Sequence, residues 1–263
     1  METATHRALK ILAVHRLFQD GCAAAAAEVR CPIARFRVDA AGYLDPLSPR
    51  PSTAGVQGTP SNEHVQDACA SPCISRDRVA RTVIVECKAS RADFLTDARD
   101  ADRLFKERSR LDSVRKAMED RFVKVVEPHL RLEGSSLFEE LDDWNFAESR
   151  LPSYRKLLDD FKLVEERLYG QSKFWTISHY RLADFLYLAA PAGLIRPHEL
   201  PVGWGLLELD ARNPAAMCVA VPAAPRKGNP RHRSRMLRNI AAAASRRLLS
   251  RALLADDLDI ARQ

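Results

Sequence analysis

A chain of 263 residues, 46% of them hydrophobic, is long enough to bury a substantial core and too apolar for wholesale disorder. The formal net charge of +6 and pI near 9.1 make nucleic acid or another anionic surface a natural partner and say nothing about fold. Six cysteines, at 22, 31, 69, 73, 87 and 218, and an N-terminus without a long apolar stretch read as the reduced thiols of a cytoplasmic protein with no membrane span.

Leu9, Ile11, Leu12, Val14, Leu17 and Phe18 recur at helical spacing over 6–18, and Asp20-Gly21 supplies a stop, so a first helix packs by one face. The alanine run 23–27 suits helix or strand, but Glu28-Val29-Arg30-Cys31 before Pro32 reads as a strand tail and a turn. A second strand is predicted over 35–43, where Phe36 and Val38 interleave with Arg37 and Asp39. Residues 46–79 are dominated by Pro, Ser, Gly and Thr and read as a loop insertion between two strands of one sheet. His64, Cys69 and Cys73 within it are spaced as metal ligands, yet no fourth ligand is evident, and a flexible loop without structural zinc is the expectation.

The pivotal stretch is 81–88. Val83-Ile84-Val85 reads as a buried strand, and Glu86 and Lys88, two apart, fall on one side of a period-2 element. One reading is a buried Glu–Lys pair, which can cost as much in desolvation as it returns. The other is a metal-bound carboxylate beside a lysine that meets a water or a phosphate. Ser90 caps the helix that follows, with Asp93 three positions on to complete an approximate capping box. Farther along, Leu111, Val114, Met118, Phe122 and Val125 stripe a charged rod that ends before Pro128, and 153–169 is again helical, with Gly170 as terminator. Two more strands are predicted over 185–190 and 204–209. From 213 the chain reads as a linker and a basic helical tail. Arg231, Arg233, Arg235 and Arg238 of that tail are candidates to grip phosphates, and a solvated helix lying on the core is the other reading.

Asp39, then Glu86-x-Lys88, on two neighbouring strands, resembles the signature of the restriction-endonuclease-like superfamily, also called PD-(D/E)XK nucleases. The run Glu86-Cys87-Lys88-Ala89-Ser90-Arg91-Ala92-Asp93-Phe94 is similar to a bacterial and phage branch that includes proteins assigned to DNA repair. So are Tyr187-Leu188-Ala189-Ala190-Pro191-Ala192-Gly193-Leu194-Ile195, Trp204-Gly205-Leu206-Leu207 and Arg37-x-Asp39. The likeness covers about 6–45 and 80–210 without most of the middle helical region, and Val38 stands where the superfamily name has a proline.

The resemblance implies an α/β fold with a restriction-endonuclease-like core, αβββαβ, whose mixed central sheet is flanked by helices. That core would occupy 1–212, with the loop insertion at 46–79 and a helical elaboration at 97–172, followed by the linker and basic tail, 213–263. It implies Mg2+-dependent phosphodiester hydrolysis of DNA in repair or defence, with Mn2+ as a substitute ion. Asp39, Glu86 and Lys88 would be catalytic, and Asp39, Glu86 and the Cys87 carbonyl would hold the metal. Glu28 is the candidate auxiliary acid, and Ser90, Arg91 and Asp93 would support the site or meet the phosphate backbone. DNA is the expected partner and a membrane is not; a homodimer stays open. Two alternatives remain: a catalytically inactive nucleic-acid-binding or scaffold protein that retains the nuclease fold, and a protein in which Glu86 and Lys88 are only a structural pair.

Overall fold

The computed structural model describes residues 3–33, 36–47, 79–95, 101–132, 143–170, 172–210, 213 and 215–260, with backbone alone at 101–102 and 251–260. His64, Cys69, Cys73 and the insertion beyond residue 47 lie outside the described residues.

Helix α1 (Ala4–Gln19) begins where the Thr3 hydroxyl accepts the His6 N–H at 3.2 Å. Leu9, Ala13 and Leu17 form its buried stripe. Ile11 and Phe18, expected on that face, are 48% and 46% exposed, because Ile11 lies about 200° round the helix from Leu9 and Phe18 about 100° from Leu17.

Six strands follow: β1 (Ala24–Arg30), β2 (Arg37–Leu44), β3 (Arg81–Cys87), β4 (Phe185–Ala190), β5 (Gly205–Leu209) and β6 (Met217–Val221). They lie side by side in chain order as one mixed sheet. β1, β2 and β3 form an antiparallel meander, β3, β4 and β5 run parallel, and β6 returns antiparallel to β5. All six positions of β4 are buried, as in a strand covered on both faces. β1 is a strand despite four consecutive alanines, because pairing with β2 overrides the helical preference of Ala.

Helix α7 (Pro230–Ile260) packs mainly along β1 and buries Met236 and Ile240. One sequence expectation is corrected here. Residues 217–221 are the sixth strand and not part of a linker, held to α1 by a 2.8 Å hydrogen bond from Arg16 Nη1 to the Met217 carbonyl. Of the two readings of the basic helix, the structure has the one that lies on the core. On the sheet, Leu9, Ala13 and Leu17 meet Val83, Val85, Tyr187 and Leu207 in one cluster. Gly42 is essential to that fit, since a Cβ there would stand 2.6 Å from Cys22 Sγ.

The chain divides into two compact units, one of Met1–Phe94 with Ile177–Gln263 and one of Leu95–Thr176. The first holds the sheet, α1, α7 and the short α2 (Arg91–Phe94). The second holds α3 (Ala101–Met118), a π-helical turn (Glu119–Val123), α4 (Lys124–Val126) and α5 (Pro152–Tyr169), and α6 (Lys173–His179) begins in it. Its α3 packs on α5, and Val123, Leu130 and Tyr154 form a small core. The predicted stripe holds at Leu111 and fails at Val114, which is 38% exposed; beyond the π turn, whose wider winding shifts the phase by one residue, Val123 is buried and Phe122 and Val125 are 57% and 72% exposed. Among the described residues no helix is long and apolar enough to cross a membrane.

Candidate functional site

Register brings three acidic positions to one level of the sheet. The pairs Ala27–Ala40 and Val29–Val38 flank Glu28 on β1 and Asp39 on β2, which therefore stand opposite each other. One step past the Ala40–Val85 pair, the β2–β3 register carries Asp39 to the level of Glu86, which pairs with Leu188 of β4. Glu28 adopts φ 57°, a left-handed conformation uncommon outside glycine, and so interrupts the β1–β2 ladder at this level.

Each carboxylate has a different setting. Asp39 is 7% exposed, and its Oδ2 accepts the Cys87 N–H at 2.8 Å, so a side chain takes over as acceptor where the β2–β3 pairing stops. His6 Nε2 lies 3.4 Å from the same oxygen, and Lys10 Nζ lies 3.4 Å from Oδ1. Glu86 is 2% exposed, and its Oε1 is a buried oxygen with no hydrogen bond among the described residues. Glu28 is half-exposed and accepts from the Lys10 ammonium. Burial first, then the negative charges of Asp39 and Glu86, push the Cys87 thiol well above its ordinary value. The thiol stays protonated, which leaves the Cys87 carbonyl as the group that residue could lend to a cation.

Lys10 and His6 are the site residues that the sequence reading missed. The signal was present, since Lys10 interrupts the buried stripe at helical spacing from Ala13 and Leu17, with His6 one turn before it. A lysine on a packing stripe needs a buried counter-charge, and Glu28 and Asp39 supply it.

Lys88 lies just beyond β3, and its N–H still donates to Ala189 of β4 at 2.8 Å. Its ammonium reaches forward to the Asp93 carbonyl at 3.0 Å and Asp93 Oδ1 at 3.3 Å. Ser90 Oγ accepts the Asp93 N–H at 3.1 Å, as a cap does. The reciprocal bond of a capping box is replaced, because the Asp93 carboxylate takes the Ala89 N–H at 3.2 Å. Arg91 does not face the carboxylates: its guanidinium pairs with buried Glu199 and donates to the Leu194 carbonyl at 3.2 Å. Burial alone would raise the Glu199 carboxyl, but Arg91 and the Arg196 N–H outweigh it and hold the group below its usual range. Arg91 thus fastens the start of α2 to the turn at 194–199, which sets it against a phosphate-contact role.

The four tail arginines divide as well. Arg233 forks onto Asp184, a 1% exposed carboxylate just before β4. Asp184 also accepts from the Thr82 N–H at 2.8 Å, the Thr82 hydroxyl at 3.2 Å and the Gly228 N–H at 3.0 Å. Burial opposes its ionisation, and these donors overcome it, so the carboxyl is held below its ordinary value. Arg233 is a structural staple and leaves the set of candidate nucleic-acid contacts. Arg235 donates to the Pro32 carbonyl at 3.4 Å, Arg238 lines a cleft with Arg30, and Arg231 is exposed at the helix start.

Mg2+ binds through one or two carboxylates and fills its shell with water and phosphate oxygens. Asp39 and Glu86 supply that number, with the Asp39 carboxylate oriented by the Cys87 amide. Among the described residues no three His, Cys, Asp or Glu side chains converge closely enough to cage an ion. Carboxylate and carbonyl oxygens are donors of the kind a hard cation takes.

No protein-family model matches the chain, and no curated protein does. Among solved structures it is similar to a protein of unknown function from Silicibacter pomeroyi, at 15% identity and a TM-score of 0.42, over 94% of this chain and 91% of that one.

Proposed function

We propose that the protein is a metal-dependent deoxyribonuclease with a restriction-endonuclease-like core, hydrolysing DNA phosphodiesters at Asp39, Glu86 and Lys88. The observation that carries this reading is the register that sets Asp39 and Glu86 level on adjacent strands, with Asp39 fastened by the Cys87 amide. The order helix, antiparallel β1–β2–β3, helix, parallel β4 supports the core that the motif resemblance implies.

Asp39, Glu86 and the Cys87 carbonyl would hold Mg2+, with Mn2+ as substitute. When bound, the ion lowers the pKa of a coordinated water and offsets charge on the scissile phosphate. Asp39 is kept in place by its hydrogen bond to Cys87, and its other oxygen, which faces Lys10 at 3.4 Å, would turn from that ammonium to the cation. Lys88 turns from Asp93 toward the attacking water or the phosphate oxygens, where its ammonium stabilises the developing charge. The water oxygen joins phosphorus, the bond from phosphorus to the 3′ oxygen breaks, and the proton released by the water accompanies that leaving oxygen to solvent.

One observation favours the inactive-binder alternative: Lys10 already neutralises Glu28 and Asp39, and Lys88 is held by Asp93. Cleavage assays on supercoiled, linear and single-stranded DNA with Mg2+, Mn2+ or EDTA separate the two. A nuclease cleaves only with metal, and Lys88→Ala abolishes cleavage while sparing DNA binding. Equal cleavage by Lys88→Ala, or DNA binding by the wild type without any cleavage, overturns the assignment.

A further inference from the structure

Beside the acidic row, one cleft is lined by five cationic side chains: Arg7 and Lys10 of α1, Arg37 of β2, and Arg246 and Arg247 of α7. Glu28 is the single carboxylate among its described lining residues, and it is offset by Lys10. Four of those five cations are arginines, whose planar forks match phosphate oxygens. Among the described lining residues there is no Phe, Tyr or Trp to stack a base and no Asn or Gln to read a base edge. A cluster of arginines suits the oxygens of a sugar-phosphate backbone.

Farther along the seam between α7 and β1, Arg30, Arg235 and Arg238 line a second cleft. Arg238 and Arg246 are separated by about 12 Å along the helix at 1.5 Å per residue, which is about the axial length of three to four base pairs at 3.4 Å each. Two arginine clusters at that separation on one seam suit an anion with charges spaced along a chain, and not a single phosphate.

We propose that the α7–β1 seam binds the phosphate backbone of the DNA that presents its scissile phosphate to Asp39 and Glu86, with Arg246 and Arg247 as principal contacts. The substrate in this assignment rests on the nuclease reading above; the cleft does not. Arg233 on the same helix is not among the contacts, since Asp184 holds it. Arg246 and Arg247 are exposed, with Arg247 one turn beyond Ala243 on the line of Met236 and Ile240, so the melting midpoint of each variant is read beside its binding.

The test is fluorescence anisotropy of a labelled short duplex with the full chain in EDTA, titrated across salt concentration. Counterion release gives about 0.9 decade of affinity per phosphate contact per decade of salt, so Arg246→Ala/Arg247→Ala should weaken binding about 60-fold at 0.1 M relative to a 1 M reference. The salt slope should fall by about two, and Arg37→Ala, on a different element, should lower it by about one. Wild-type affinity and slope in these variants, absence of duplex binding by the wild type, or displacement by inorganic phosphate beyond its ionic-strength effect would overturn the assignment. Because binding is read in EDTA and cleavage in a separate assay with Mg2+, the two readings fail separately. Binding lost in the variants without Mg2+-dependent cleavage by the wild type keeps the seam and removes the nuclease, whereas cleavage with unchanged binding in the variants does the reverse.

Discussion

Replacing Lys10 by Met keeps most of the side-chain stem and removes the ammonium that joins Glu28 to Asp39. The Lys10 and Asp39 side chains are 9% and 10% exposed, so that contact is close to buried, whereas Glu28 is 45% exposed. Losing one partner of a buried pair costs about 3–5 kcal/mol, and an exposed pair is worth at most about 1 kcal/mol. Asp39 keeps the Cys87 N–H, and its 3.4 Å separation from Lys10 exceeds a charge-assisted hydrogen bond. Both place the loss below the buried-pair range, at about 2 kcal/mol. At about 2–4 °C per kcal/mol for a chain of this size, the melting midpoint in EDTA falls by about 4–8 °C. Mg2+ should then recover stability, because the carboxylates released from Lys10 are open to it; an ion present at about 100 times its Kd returns about 2.7 kcal/mol. Thermal and urea denaturation of wild type and Lys10→Met, each in EDTA and in Mg2+, reads both effects. A variant as stable as wild type in EDTA, or one that responds to Mg2+ less than wild type does, would refute this account of the ammonium.

Asp184→Asn removes the charge that Arg233 neutralises and should cost about 2–4 kcal/mol by urea denaturation. The folded Asp184 carboxyl lies below its unfolded value near 3.8, so its stabilisation is complete above that pH and is lost as pH falls through 3.8 toward the folded value. Wild type should therefore lose more stability than Asp184→Asn as the medium is acidified across that window, and parallel pH profiles would contradict it. Gly42→Ala drives a methyl to 2.6 Å from Cys22 Sγ and should destabilise by about 1–3 kcal/mol in the same assay, with no loss meaning that α1 can shift off the sheet.

The parts of the fold that could be read from sequence were those where one strong local signal agrees with burial. β3 and β4 are short apolar runs buried along nearly their whole length, and both their position and type follow from the residues. β1 and β6 are different. Four alanines favour helix in isolation, and it takes pairing with β2 to make them a strand. Met217–Val221 is a five-residue run whose apolar signal is brief and sits among prolines, and its pairing with β5 decides it. The π turn at Glu119–Val123 changes helical phase without any residue that announces it.

As for the candidate site, Asp39, Glu86 and Lys88 stand out in the sequence because they are charges in or beside sheet-forming stretches. The direction in which Lys88 points was not legible, since only the structure sets Asp93 beside it. Nor does sequence say which arginines on a basic helix face solvent. Arg233 and Arg246 look alike in composition, and the difference lies in Asp184, which comes to Arg233 from 49 residues away in sequence. Lys10 is legible in principle, as a cation on the stripe of Leu9, Ala13 and Leu17, but the apolar periodicity alone does not mark it.

The most direct test of metal-dependent hydrolysis at the acidic row is the rate of nicking of supercoiled DNA in Mg2+ by wild type, Asp39→Asn and Glu86→Gln, with EDTA as control. These replacements hold shape and remove the charge that would hold the cation. Nicking by the wild type that vanishes in EDTA and drops on the order of 100-fold or more in each variant is the predicted result. Variants that nick at the wild-type rate, or a wild type inactive with metal on every DNA form, would contradict it.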